Sequence, residues 1–151
     1  MASKVITSAG AAISMTATAP ATNDQAGYDA LTFTDIGEVT DIPEFGREYN
    51  EVTHVPLATR ATVKRKGSFN DGTYTITGGR DVDDAGQTLV ASALTSDDDH
   101  YIKVETQQGE IFYMAAQVMS YKTNIGNADQ IVQFSATISI NSELGIINVS
   151  P

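Results

Sequence analysis

Apolar and polar residues alternate most regularly near the C-terminal end of the chain. Val132, Phe134, Ala136, Ile138 and Ile140 are separated by Gln133, Ser135, Thr137 and Ser139, which predicts a strand with one apolar face and one small polar face. The same period puts Tyr74 and Ile76 on one face and Thr73, Thr75 and Thr77 on the other, again a half-buried strand. Upstream, Ala61 to Phe69 reads as its partner. The intervening Asn70, Asp71 and Gly72 tolerate positive φ, so the pair is expected to form a β-hairpin with its turn at 70–72. A second hairpin is expected from Tyr101 to Thr106 and Ile111 to Lys122, turning at Gln107-Gln108-Gly109-Glu110. Between the hairpins the period changes. Gly78 and Gly79 break the strand, and Leu89, Val90, Ala93 and Leu94 fall at helical spacing behind Asp81-Val82-Asp83-Asp84, with Asp81 or Asp83 placed to cap the helix. Asp97, Asp98 and Asp99 follow where a helix C-terminus disfavours negative charge, so they read as loop. The class is mainly β with one flanking α-helix.

Two stretches carry no such period. Residues 1–30 are rich in Ala, Ser and Thr and end in Pro20-Ala21-Thr22-Asn23-Asp24, a composition that closes no core by itself. They read as an N-terminal arm ahead of a β-domain over 31–151. A disordered tail without a role explains the composition equally well; Val5, Ile6, Ile13 and Met15 would let the arm pack or add a strand on a neighbouring subunit. Residues 41–60 contain Pro43, Gly46 and Pro56 and read as a connection of about 20 residues, long enough to be expected to carry function.

Charge and composition narrow the chemistry. The 151 residues fit one domain, and 19 acidic against 9 basic residues give a net charge of −10, which argues against a surface that grips nucleic-acid phosphates. With no Cys and 2 His, disulfides, thiol nucleophiles and Cys-based zinc sites are excluded. No apolar run approaches the roughly 20 residues of a membrane span, so a soluble chain with no membrane partner is expected. Lys4 followed by Val5 to Ala19 resembles a secretory signal only weakly, since hydroxyl residues interrupt it and Pro20 follows. Asp81 to Gly86 resembles half a calcium loop, but Ala85 and Ser92 stand where ligands are required, so helix capping is the better reading and no metal or cofactor is expected. Arg60, Lys64, Arg65 and Lys66 form the basic cluster, with Lys64 and Lys66 on one strand face and Arg65 on the other. They read as partners for acidic loops of the same or a neighbouring subunit. His54 and His100 lie near no nucleophile motif, and hydrolase elbows and Walker loops are missing, so no enzyme is expected.

Five phrases occur in order: Gly37-Glu38-Val39-Thr40; Glu44-Phe45-Gly46-Arg47-Glu48-Tyr49-Asn50; Thr53-His54-Val55-Pro56-Leu57; Lys66-Gly67-Ser68-Phe69-Asn70-Asp71-Gly72; and Asp83-Asp84-Ala85-Gly86-Gln87. Together, over roughly residues 28–141, the chain resembles the tail tube (major tail) proteins of long-tailed, non-contractile bacteriophages. The resemblance implies a β-sandwich or half-open barrel with one flanking helix. It further implies hexameric rings that self-assemble by stacking into the tail tube of the virion, assembled in the host cytoplasm, with DNA crossing the lumen without specific binding. It implies an inter-ring loop at Glu44, Phe45, Gly46, Arg47, Glu48, Tyr49 and Asn50. The tape-measure protein, the tail tip and the tail terminator are its implied partners.

Gln133, Ser135, Thr137 and Ser139 suit a lumen wall, and six copies at −10 each would place about −60 on a ring, repelling phosphates. Alternatives are a secretion-system tube, a single-ring tail-completion protein, an extracellular β-sandwich binding module, or a metal-dependent enzyme using Asp81, Asp83 and Asp97 to Asp99.

Overall fold

The structure, a computed structural model, describes residues 3–151. Ten strands and two helices follow in the order β1 (Ala12–Thr16), α1 (Gln25–Asp29), β2 (Thr34–Asp35), β3 (Val39–Asp41), β4 (Glu48–His54), β5 (Val63–Asn70), β6 (Thr73–Gly79), α2 (Ala85–Ala93), β7 (His100–Glu105), β8 (Ile111–Asn124), β9 (Gln133–Ile140) and β10 (Ile146–Val149). Eight strands form one antiparallel sheet in the order β2-β1-β7-β8-β9-β6-β3, and β10 continues the track of β9 along β8. The sheet curls into a half-barrel, while β4 and β5 pair only with each other.

The alternation in β6 and β9 has the expected consequence. Tyr74, Ile76, Phe134, Ala136, Ile138 and Ile140 are buried, and their polar neighbours are exposed or half-buried. Val132 lies just outside the strand and is exposed. The β7–β8 hairpin closes where expected, with Gly109 at φ 94° and the Thr106 N–H donating to Glu110 O at 2.9 Å. Helix α2 packs Val90 and Ala93 into the concave face of the sheet. Its cap is Asp84, not Asp81 or Asp83: Asp84 Oδ2 accepts from the Gln87 N–H at 2.8 Å and from the Gly37 N–H at 3.1 Å. Asp81 instead closes its own turn by accepting from the Asp83 N–H.

Three expectations are corrected. Residues 12–30 belong to the body, not to an arm. β1 pairs with β7 and β2, Ile13 and Met15 enter the core, and Tyr28 of α1 is buried. Cleavage at Ala19 would remove a core strand, which speaks against the signal-like reading. Residues 41–60 are not one irregular loop, because Glu48–His54 is a strand. The turn at Asn70-Asp71-Gly72 exists, with Gly72 at φ 95°, but it joins no hairpin: β5 pairs with β4, and β6 pairs with β9 and β3. Turn chemistry specifies a change of direction and leaves the pairing partner open.

On the side of the sheet away from the core, Tyr28 of α1 covers part of β7 and β8. Tyr28 stacks on Tyr113 at 4.9 Å and meets Tyr101 edge-on at 6.0 Å, and Ser14 and Thr16 are buried beneath this layer. The Tyr113 hydroxyl donates to Asp29 Oδ1 at 2.6 Å, whereas the buried Tyr28 hydroxyl has no partner. Burial pushes the Tyr28 phenol up to about 12, with smaller contributions from Tyr101 and Asp99. Tyr74 and Tyr113 are pushed higher, again chiefly by burial.

Candidate assembly surfaces

The β4–β5 hairpin leaves the body with both faces in water. All of β4 is exposed, and β5 has only Val63 and Gly67 partly covered. The pairing is held by local contacts: Tyr49 against Phe69 at 5.5 Å, Lys66 Nζ over the Tyr49 ring at 4.9 Å, and Lys64 Nζ to Glu51 Oε1 at 3.5 Å. An isolated two-stranded hairpin is marginally stable in water, so a surface this long calls for a partner. At its tip Val55 and Leu57 are 56% and 97% exposed around Pro56, and Arg60 takes φ 57° as its N–H donates to Pro56 O.

The hairpin is anchored at its base. Asp71 is buried; its Oδ1 accepts from Arg47 Nε at 2.9 Å, and its N–H donates to Ser142 Oγ at 2.8 Å. The Arg47 guanidinium lies 3.9 Å above the Phe69 ring. The hydrogen bond to Asp71, then that to Tyr49, raises its already high pKa. Phe45 packs on Tyr74 at 5.4 Å and Phe112 at 5.2 Å, against the core. The predicted contact loop Glu44 to Asn50 therefore divides. Phe45 and Arg47 hold the fold, Glu44 and Gly46 are exposed on the way out, and Glu48, Tyr49 and Asn50 begin the free strand.

The basic cluster lies on the same hairpin. Lys64 pairs with Glu51 of the adjacent strand, while Arg60, Arg65 and Lys66 have no carboxylate within ion-pair distance among the described residues. No interdomain or intersubunit pairing is therefore needed for Lys64.

A second surface lies on β6, β8 and β9, on the side of the sheet away from the core. Register aligns Thr73, Ser139 and Gln117 in one row, Thr75, Thr137 and Ser120 in the next, and Thr77, Ser135 and Lys122 in a third. Thr75 and Thr137 share a hydroxyl hydrogen bond at 3.0 Å, and Thr73 Oγ1 donates to Ser139 Oγ at 3.4 Å. β6, β8 and β9 contain no Asp or Glu, so this wall is hydroxyl-rich with one cation. Gln133, Ser135, Thr137 and Ser139 all belong to it.

Three carboxylates of the acidic stretches act as hydrogen-bond acceptors within the fold. Asp81 and Asp84 serve as described, and Asp99 Oδ2 accepts from Asn141 Nδ2 at 2.9 Å. Among the described residues no three acidic or imidazole groups converge as a metal site would require. Missed in the sequence were the apolar tip and β10; Leu57 next to Pro56 in an otherwise polar stretch was the available signal for the tip.

No protein-family model and no curated protein sequence matches the chain. Solved structures do. A chain of the anti-feeding prophage baseplate, a 6-fold symmetrised assembly, superposes with TM-score 0.68 at 8% identity, covering 99% of this chain and 98% of that one. A chain of the sheath/tube terminator of an extracellular contractile injection system, PVC, gives TM-score 0.67 at 10% identity over 99% and 100%. The SPP1 tail tube gives 0.62 at 11% identity, covering 93% of this chain and 77% of that one. These matched structures are baseplate, terminator and tail tube assemblies. The fold of this chain is the curled, mainly β half-barrel of tail-tube-like proteins.

Proposed function

We propose that this chain is the tail tube subunit of a siphophage virion: six copies close a ring, rings stack, and the hydroxyl wall of β6, β8 and β9 lines a lumen through which DNA passes. The observation that carries the reading is the β4–β5 hairpin, a two-stranded ribbon exposed on both faces that needs a second copy to cover it. Ring closure also covers the free sheet edges at β2 and β3. The tape-measure protein, tail tip and tail terminator are the expected partners, assembly belongs in the host cytoplasm, and no catalysis is required.

Near end-to-end similarity to baseplate and terminator chains favours, as a second reading, a component of a phage-like particle that makes one ring or a tube inside a contractile sheath. Negative-stain electron microscopy across a concentration series separates these. Hollow stacked rings are the expected result, rings that never stack favour the second reading, and monomers at every concentration would remove self-assembly as the function.

A further inference from the structure

We propose that the direction in which the β4–β5 hairpin leaves the body is set by a latch, the buried Asp71 carboxylate gripping Arg47 beside a two-glycine hinge, and that its release lets the hairpin swing toward β10. This inference concerns the single subunit and does not rest on the self-assembly reading above.

The hinge is sharply bounded. Phe45 is fixed against Tyr74 and Phe112, and Thr73 is already in register with Ser139 of β9. Between those points and the hairpin each chain passes through a glycine, Gly46 at φ 154° and Gly72 at φ 95°, and an added Cβ at Gly46 would meet nothing within 4 Å. Across the base the Gly46 N–H reaches Asp71 O at 3.4 Å, which is long for a backbone bond. Beyond it β4 and β5 pair only with each other, so no ladder to the main sheet fixes their direction.

The side chains at the base supply what the ladder does not. Asp71 Oδ1 and Oδ2 accept from Arg47 Nε at 2.9 Å and Nη2 at 3.5 Å, while the Asp71 N–H donates to Ser142 Oγ of the body at 2.8 Å. Gly145 makes room for the guanidinium, since a Cβ there would lie 3.2 Å from Arg47 Nη2. Asp71 is 1% exposed, so withdrawing Arg47 leaves a carboxylate buried without its partner, and the latch holds while both are present. The swing has somewhere to go. A cleft of about 280 Å³ lies between the hairpin base and β10, lined by Phe45, Phe112, Ile146 and Asn148, and β10 pairs only with β8, so its second edge is open. Hinges that carry a whole element need only a few residues to change φ and ψ.

The chain has no Cys, so spin labels can be placed on introduced cysteines alone. Leu57→Cys with Asn124→Cys puts one label on the hairpin tip and one at the exposed end of β8, and double electron–electron resonance on labelled protein diluted into unlabelled protein reads the distance within one subunit. With the latch intact a single narrow distance is expected. Arg47→Ala in this background should add a second distance or spread the first. Arg47→Met with Asp71→Asn, which leaves no buried charge unpaired, carries the same expectation and serves where Arg47→Ala does not fold. A label pair within the body, Gln108→Cys with Asn124→Cys, should be unchanged by either. A broad tip distance with the latch intact would show that nothing holds the hairpin. An unchanged single distance in the folded latch variant would show that Arg47 and Asp71 do not set its direction. Broadening of the body pair as well would make them residues of general stability. Each of these results overturns the proposal.

Discussion

Gln87 ties the start of α2 to the segments at Gly37 and at Gly79 to Asp81, and its replacement tests how the half-barrel is held. The side chain is fully buried; Nε2 donates to Gly37 O at 3.0 Å and to Gly79 O at 2.9 Å, while Oε1 accepts from the Asp81 N–H at 3.0 Å. Gly86 beside it admits no side chain, because a Cβ there would collide with Asp35 O, so the helix cannot slide to restore these bonds. Gln87→Met keeps the volume and deletes these three together with a longer bond from Arg80 Nη1 at 3.5 Å. Each orphaned buried group costs about 1–3 kcal/mol, and the partly buried partners here place each near the lower end, giving about 3–5 kcal/mol in total. At roughly 2–4 °C per kcal/mol for a chain of this length, the melting temperature falls by about 6–20 °C. Urea unfolding followed by far-UV circular dichroism measures this without needing Trp, and the midpoint should move at constant slope. Gln87→Glu discriminates further. Its second oxygen would face two carbonyls, which favours the protonated acid in the folded state and raises its pKa above the unfolded value of about 4.3. Stability that depends on that proton is present at low pH and lost as pH rises, so the Glu variant should approach the parent between about pH 8 and 5. A loss under about 1 kcal/mol for Met, or a pH-independent deficit for Glu, would refute this account of the junction.

Phe45→Ala should destabilise the monomer by about 2–3 kcal/mol, since the ring packs on Tyr74 and Phe112 at the edge of the core; an unchanged melting curve would return Phe45 to the contact surface. Gly72→Val forces a β-branched residue to φ 95° and should cost about 1–3 kcal/mol, measured as a shift in urea midpoint; no shift would mean that the turn relaxes freely. The buried phenols of Tyr28, Tyr74 and Tyr113 ionise later in the folded than in the unfolded chain, so stability should hold below about pH 10 and fall as pH rises towards 12. Tyr28→Phe, which removes a hydroxyl that has no partner, should leave neutral-pH stability equal or higher and flatten that alkaline decline; a marked loss at pH 7 would show that the hydroxyl is bonded after all.

How much of this could be read from the sequence follows from where burial acts. β6 and β9 have one buried and one open face, so burial leaves a period of two in their residues. β1 has its core side filled by Ile13 and Met15 and its other side covered by the Tyr28 layer, so Ser14 and Thr16 are buried too; its alternation spans only Ile13 to Thr16 inside an Ala/Ser/Thr-rich stretch and does not stand out from it. β4 is the opposite case: with both faces exposed, nothing selects apolar positions, and the strand looks like a loop. The contact phrase Glu44 to Asn50 mixed two roles for a similar reason. Phe45 and Arg47 are recognisable as large or charged residues, but only the fold brings Tyr74, Phe112 and Asp71 next to them. Asp84, Gly86 and Gln87 were visible as a phrase, and their task of capping, close approach and cross-linking required the position of Gly37 and Gly79.

The distribution of charge changes how passage of DNA through such a tube should be understood. The sequence suggested that about −60 per ring of six would repel phosphates from the lumen. If the wall of β6, β8 and β9 is luminal, as proposed, it presents Thr, Ser and Gln with Lys122 as its cation and no carboxylate from those strands. Carboxylates farther than the screening length of about 8 Å at physiological salt from such a wall would contribute only a weak field at the channel axis. Free sliding would then rest on a neutral hydroxyl surface that offers phosphates few fixed partners, not on repulsion. The excess acid has its larger effect between subunits. Residues 48–70 carry a net +2 and the rest of the chain −12, so two bodies repel each other while the charge of the hairpin favours association. On the proposed assembly reading, the exposed hairpin therefore carries both the apolar tip and the attraction that opposes this repulsion, which makes it the segment on which stacking would depend most.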